Sequence, residues 1–161
     1  LEELVILFLF AITLHNLEEA LWLPAWSNQA SKFKKPVGKN EFYFAVIFIT
    51  SLAYLSTFFY LFFPNSTMAK YILIGFLGSM IINTIFPHLL ATIVLKRYAP
   101  GLLTGILLNI PINSFIIYQF FQNNELTFRA LFLSTLIVGG VLLSLIPVLF
   151  KIGKYITKQI Y

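Results

Sequence analysis

The chain has 161 residues, 59% of them hydrophobic and only 11% charged, and it contains no cysteine. Soluble domains carry about 25% charged residues, so this composition belongs to the membrane class. The missing thiols exclude disulfides, thiolate metal ligands and a cysteine nucleophile. The net charge is +5, but the basic residues lie between apolar runs instead of forming a patch, so they do not signal nucleic acid.

A transmembrane helix needs about 20 apolar residues to cross ~30 Å of hydrocarbon. The sequence supplies five such runs in order: Leu4–Leu23, Phe42–Phe63, Tyr71–Leu95, Leu102–Phe121 and Ala130–Phe150. Helix breakers stand at the joints, namely Pro24, Pro36 with Gly38, Pro64, Pro100-Gly101 and Asn123-Asn124. The first run follows acidic Glu2 and Glu3, where a signal peptide would be basic, so it reads as a retained span. The expected fold is all-α, a polytopic membrane bundle of five transmembrane helices in a single domain, multi-pass in the cell membrane.

The basic residues alternate by side. Lys32, Lys34, Lys35 and Lys39 follow the first run, Lys96 and Arg97 the third, and Lys151, Lys154 and Lys158 the fifth, whereas only Lys70 and Arg129 fall on the other side. Positive residues stay cytoplasmic, so the amino terminus is expected outside and the carboxyl terminus inside. Trp22 and Trp26 mark an interface. The tail from Lys151 reads either as a short interfacial helix or as a charged stop.

His15, Glu18 and Glu19 interrupt the first run, and ionisable groups in a span are costly and commonly functional. At 100° per residue, Glu18 lies about 60° to one side of His15 and Glu19 about 40° to the other, so the three share one wedge. His88 in the third run and Asn109 in the fourth come to roughly the same depth, ~10–12 Å from the cytoplasmic ends of their spans. Pro87 frees the carbonyl of Asn83 and bends the third span there, with Thr84 one turn before His88.

Two charged, unpaired carboxylates would cost about 5–7 kcal/mol on the insertion scale, and every Lys and Arg lies in a loop or at a span end. Protons on the glutamates or a bound cation must balance them. A divalent metal takes imidazole and carboxylate ligands together, with zinc favoured and iron possible.

The pattern His15-Asn16-Leu17-Glu18-Glu19, followed by His88 and Tyr98-Ala99-Pro100-Gly101, resembles the HXXEE proteins, a family of bacterial membrane proteins of unknown function. The resemblance covers roughly Leu4 to Gly101. It supports the choice of site residues and implies no particular reaction.

The expected ligands are His15, Glu19 and His88, an arrangement similar to that of inverted zinc peptidases with one histidine replaced. Glu18 is the expected general base, although the two glutamates could exchange roles. Tyr98 could polarise a substrate carbonyl or serve as an interfacial anchor. Asn83, Thr84 and Asn109 are candidate supporting residues that orient the histidines. The leading expectation is a metal-dependent hydrolase acting on a lipid or apolar substrate. The alternatives are a proton-coupled small transporter, in which a homodimer could supply symmetry, and a non-catalytic membrane assembly partner.

Overall fold

The computed structural model describes residues 2–29 and 36–160. Five helices follow one another: α1 Glu2–Gln29, α2 Lys39–Phe62, α3 Thr67–Leu95, α4 Leu102–Gln122 and α5 Phe128–Ile160. All five are long and apolar enough to cross a membrane. The shortest, α4, has 21 residues and so spans about 31 Å at 1.5 Å per residue, which matches the hydrocarbon thickness. Large apolar side chains such as Ile47, Leu55, Leu136 and Leu143 cover the outside.

The helices outrun their sequence boundaries at several points. Pro24 does not end α1, which continues to Gln29. The Ser27 hydroxyl donates to the Pro24 carbonyl at 2.8 Å and accepts from Val37 N–H at 3.1 Å, tying the end of α1 to the entry of α2. Lys151, Lys154 and Lys158 do not sit on a separate interfacial helix, because α5 is continuous through them. Gly153 holds this tail close to α2, since a Cβ there would lie 3.0 Å from Cβ of Phe44. Lys32, Lys34 and Lys35 lie outside the described residues.

Small residues set the packing of α3 on α5. A side chain at Gly78 would come within 2.0 Å of the Thr135 hydroxyl, and one at Gly75 within 2.5 Å of the Ser134 carbonyl. Close backbone approach of this kind is how helices associate when no hydrophobic force separates protein from lipid. Away from the histidines, α1, α3 and α4 enclose a dry core that includes Val5, Phe8, Leu73, Leu77, Ile116 and Phe120. At that end Lys70 and Glu125 pair at 2.7 Å across the mouth of the bundle.

Two of the helices depart from regular geometry beside the histidines, while α1 stays regular through His15. Pro87 cannot supply an amide hydrogen, and α3 kinks within Thr84–Leu89, where Phe86 leaves helical geometry at φ −130°, ψ 112°. The kink expected from Pro87 is therefore present. Two residues upstream of Pro111, α4 opens into a π-type segment, Gly105–Asn109. The two irregular segments face each other across the same end of the bundle.

Candidate metal centre

The kink in α3 has a direct geometric consequence. Residues five apart diverge on a regular α-helix, but the extended backbone at Phe86 redirects the chain between Asn83 and His88. Asn83 and His88 are five apart, and the Asn83 amide nitrogen lies 3.2 Å from His88 Nε2. The same nitrogen lies 3.1 Å from Nε2 of His15 on α1. The two imidazole rings meet edge to face with centroids 5.2 Å apart. His15 is fully buried and His88 nearly so.

Glu19 completes this group. Its Oε1 lies 2.8 Å from His88 Nε2 and 3.6 Å from His15 Nε2. One ligating atom from each of His15, Glu19 and His88 lies within 4.8 Å of the other two. Metal–ligand bonds near 2 Å place the ligating atoms of a tetrahedral site roughly 3–4 Å apart, so a small adjustment would bring these three around one ion.

Glu18 has a different neighbourhood. The turn between α3 and α4 wraps around its carboxylate. Gly101 N–H donates to Oε1 at 2.8 Å, Thr104 N–H to Oε2 at 2.9 Å, the Thr104 hydroxyl to Oε2 at 2.6 Å, and the Tyr98 hydroxyl to Oε1. A carboxylate offers about four lone-pair positions, and here four donors fill them. Glu18 thus binds the Tyr98–Thr104 turn and has no vacant lone pair for a substrate proton. Burial, followed by the bond to Glu18, pushes the Tyr98 phenol up to about 12. It therefore stays protonated and continues to donate.

The two halves of the cluster are joined through Thr104, whose hydroxyl lies 3.2 Å from His15 Nδ1. Because that hydroxyl donates to Glu18, it accepts from His15, which assigns the ring proton to Nδ1. The His15 Nε2 lone pair then faces Glu19, His88 and Asn83. Gly101 fits over the other ring. It adopts φ +96°, and a Cβ there would lie 2.7 Å from Cε1 of His88. Glycine is needed at this position both for its backbone conformation and for the close approach.

The supporting residues divide. Asn83 touches the Nε2 atoms of both histidines, the side that faces Glu19, instead of orienting the rings from behind. Thr84 is buried, donates to the Met80 carbonyl at 3.0 Å and packs against Gly105, away from either ring's hydrogen bonds. Asn109 is fully buried at the expected end of the bundle, yet neither polar atom of its amide has a hydrogen-bond partner among the described residues. The residue that orients His15 is Thr104, which the sequence reading passed over. Its only signal was a hydroxyl three residues past a Pro-Gly turn. Asn16, inside the motif, donates to Thr50 at 2.7 Å and ties α1 to α2.

These features define a class: a five-helix bundle of membrane-crossing length, with a buried cluster of two histidines and two glutamates at one helical turn. The chain belongs to the family described as protein of unknown function with HXXEE motif, whose profile matches residues 6–116. That stretch contains every residue of the cluster, Thr104 included. The chain is similar to the Uncharacterized protein YrkK of Bacillus subtilis (strain 168), with 64% identity over 153 residues, covering 95% of this chain and 97% of that protein. No solved structure matches.

Proposed function

We propose that this is a multi-pass membrane protein, amino terminus outside and carboxyl terminus inside, in which His15, Glu19 and His88 hold a divalent cation, zinc or iron. We further propose that the site hydrolyses a lipid or another apolar substrate. The observation that carries the reading is the convergence of two imidazole Nε2 atoms and a carboxylate oxygen in a buried space. Three acceptors so placed repel one another unless protons or a cation lie between them, and the desolvated setting raises that cost. Among the described residues no Lys or Arg pairs with them.

A divalent ion bound there would supply a Lewis acid that polarises a carbonyl or phosphoryl oxygen and acidifies water. The chain's own residues divide the remaining tasks. Asn83 can turn its amide to present Oδ1 in place of the nitrogen, which suits a cation. Glu18 was the expected base, but its filled lone pairs make it the anchor of the turn. The base role passes to Glu19, which keeps 15% of its side chain accessible and whose Oε2 makes no hydrogen bond among the described residues. Tyr98, bonded to Glu18 at the edge of the bundle, is suited to hold the turn and face an incoming substrate.

Metal analysis of protein extracted gently without chelator tests this reading. The expected result is close to one zinc or iron per chain, with a melting temperature that falls when the metal is stripped. Less than a tenth of that content, with no thermal response to added metal, overturns it.

One observation favours a second reading. A line of contacts runs from Tyr98 through Glu18, Thr104 and His15 to Glu19, which also meets His88, as a proton-coupled carrier would need. That reading predicts pH-driven flux in proteoliposomes that stops on Glu19→Gln, with no metal required.

A further inference from the structure

The chain contains two tryptophans, and both line one cleft of about 580 Å3 on the side of the bundle, where the end of α1 meets the turn between α3 and α4. Arg97, Tyr98, Pro100 and Leu103 form the rest of its working wall. Behind Pro100 lies Gly101, seated on the His88 ring, and behind Tyr98 lies Glu18. The cleft and the buried cluster are thus opposite faces of the same turn.

Arg97 is exposed, and its guanidinium makes no ion pair or hydrogen bond among the described residues. A guanidinium presents a planar fork that matches phosphate and carboxylate oxygens two at a time. Glu18 of α1, the carboxylate that this turn wraps, is already saturated by four donors. From Leu103 the wall continues one turn along α4 to Leu107, and both side chains are exposed. Because α4 runs away from the turn, a chain lying on Leu103 and Leu107 heads into the apolar body of the bundle's surroundings while its head stays beside Arg97.

We propose that this cleft binds one anionic phospholipid, with its phosphate on Arg97, its head region flanked by Trp22 and Trp26, and its acyl chain along Leu103 and Leu107. The binding site stands on these residues alone. Only the step from bound lipid to substrate class rests on the hydrolytic reading above, and it deepens that reading to an anionic-headed lipid presented at the turn beside the cluster.

The two tryptophans make the site directly observable. Full-length protein is placed in nanodiscs of phosphatidylcholine in which a tenth of the lipid carries brominated acyl chains, on either phosphatidylglycerol or phosphatidylcholine. A general interfacial attraction of about 1 kcal/mol per basic residue corresponds to roughly fivefold enrichment, and it applies to Lys96 as much as to Arg97. The expected result is that brominated phosphatidylglycerol quenches the tryptophans more strongly than brominated phosphatidylcholine. Arg97→Gln removes this preference at unchanged melting temperature, whereas Lys96→Gln retains it. Equal quenching by the two lipids overturns the proposal. So does a preference that both variants lose equally, or relief of quenching by millimolar inorganic phosphate, which would point to a soluble anion. Chelated and zinc-loaded protein are measured side by side. A preference that persists in chelated protein supports the cleft even if metal analysis overturns the catalytic reading.

Discussion

The same three helices, α1, α3 and α4, build two opposite interiors. Toward the Lys70–Glu125 end they are regular and meet through Val5, Phe8, Leu73, Ile116 and Phe120, with no buried charge among the described residues. Toward the other end they enclose His15, Glu18, Glu19, Asn83, His88 and Thr104, and α3 kinks at Phe86 while α4 loosens into a π-type turn. Apolar packing asks little of side-chain direction, so the dry half keeps ordinary helical geometry. Hydrogen bonds and ligand contacts are directional, and the polar half bends its backbone to satisfy them. Irregular helix in an apolar setting is tolerated where neighbours take up the freed polar groups. π-type turns also occur frequently at functional sites.

The largest expected effect comes from the turn that closes the polar half. Gly101→Ala forces a side chain into the left-handed region and against the His88 ring, a combined cost of about 3 kcal/mol. In nanodiscs the melting temperature should fall by roughly 6–12 °C at 2–4 °C per kcal/mol, and the apparent metal affinity should fall with it. An unchanged melting temperature would show that the turn does not press on His88 as described.

The dry half should respond differently. Phe120→Ala opens a cavity beside Tyr60, whose ring centroid lies 5.6 Å from that of Phe120. The loss is about 2 kcal/mol, at the low end for such truncations because lipid replaces water as the reference. Metal content should stay at the wild-type value. A variant that loses stability and metal together would erase the division between the halves.

The smallest effect concerns Tyr98. Tyr98→Phe removes one hydrogen bond to a carboxylate, and because Tyr98 is nearly half exposed solvent screening brings the cost to about 0.5–1.5 kcal/mol, below the range for buried charged partners. Its phenol is raised from the ordinary 10.0 to about 12, so the folded state favours the protonated form. That contribution is complete below pH 10 and is lost as the pH rises from 10 toward 12. Alkaline melting curves should show wild type approaching Tyr98→Phe over that interval, and parallel curves would contradict the assignment.

Much of this architecture was legible from the sequence. Five apolar runs separated by Pro, Gly and Asn specify five helices, because hydropathy over ~20 residues reports a global property that local detail rarely overrides. Helical spacing also anticipated that His15 and His88 would meet, since spans that alternate in direction bring matched depths together. The ends of helices were less legible. Pro24 removes only the amide bond to the Ala20 carbonyl, and α1 continues past it to Gln29, which nothing in the one-dimensional pattern announces. The division of labour between Glu18 and Glu19 was legible only in part: the spacing grouped Glu19 with His15 and His88, as the structure does, but gave no sign that Glu18 would be held by the turn. Placing both in one wedge was correct to within a quarter turn, but that quarter turn separates a carboxylate saturated by backbone and hydroxyl donors from one that faces two imidazoles. Asn83 was similarly out of reach, because its contact with His88 exists only across the kink at Phe86.

The most direct test of the central claim, that adjacent glutamates serve different ends, is a zinc competition titration of Glu18→Gln beside Glu19→Gln in the full-length protein. The account predicts that Glu19→Gln weakens zinc binding at least about 100-fold, as loss of one of three protein ligands should, while Glu18→Gln stays within roughly tenfold of wild type and instead loosens the Tyr98–Thr104 turn. Equal losses in the two variants, or the reverse order, would contradict it.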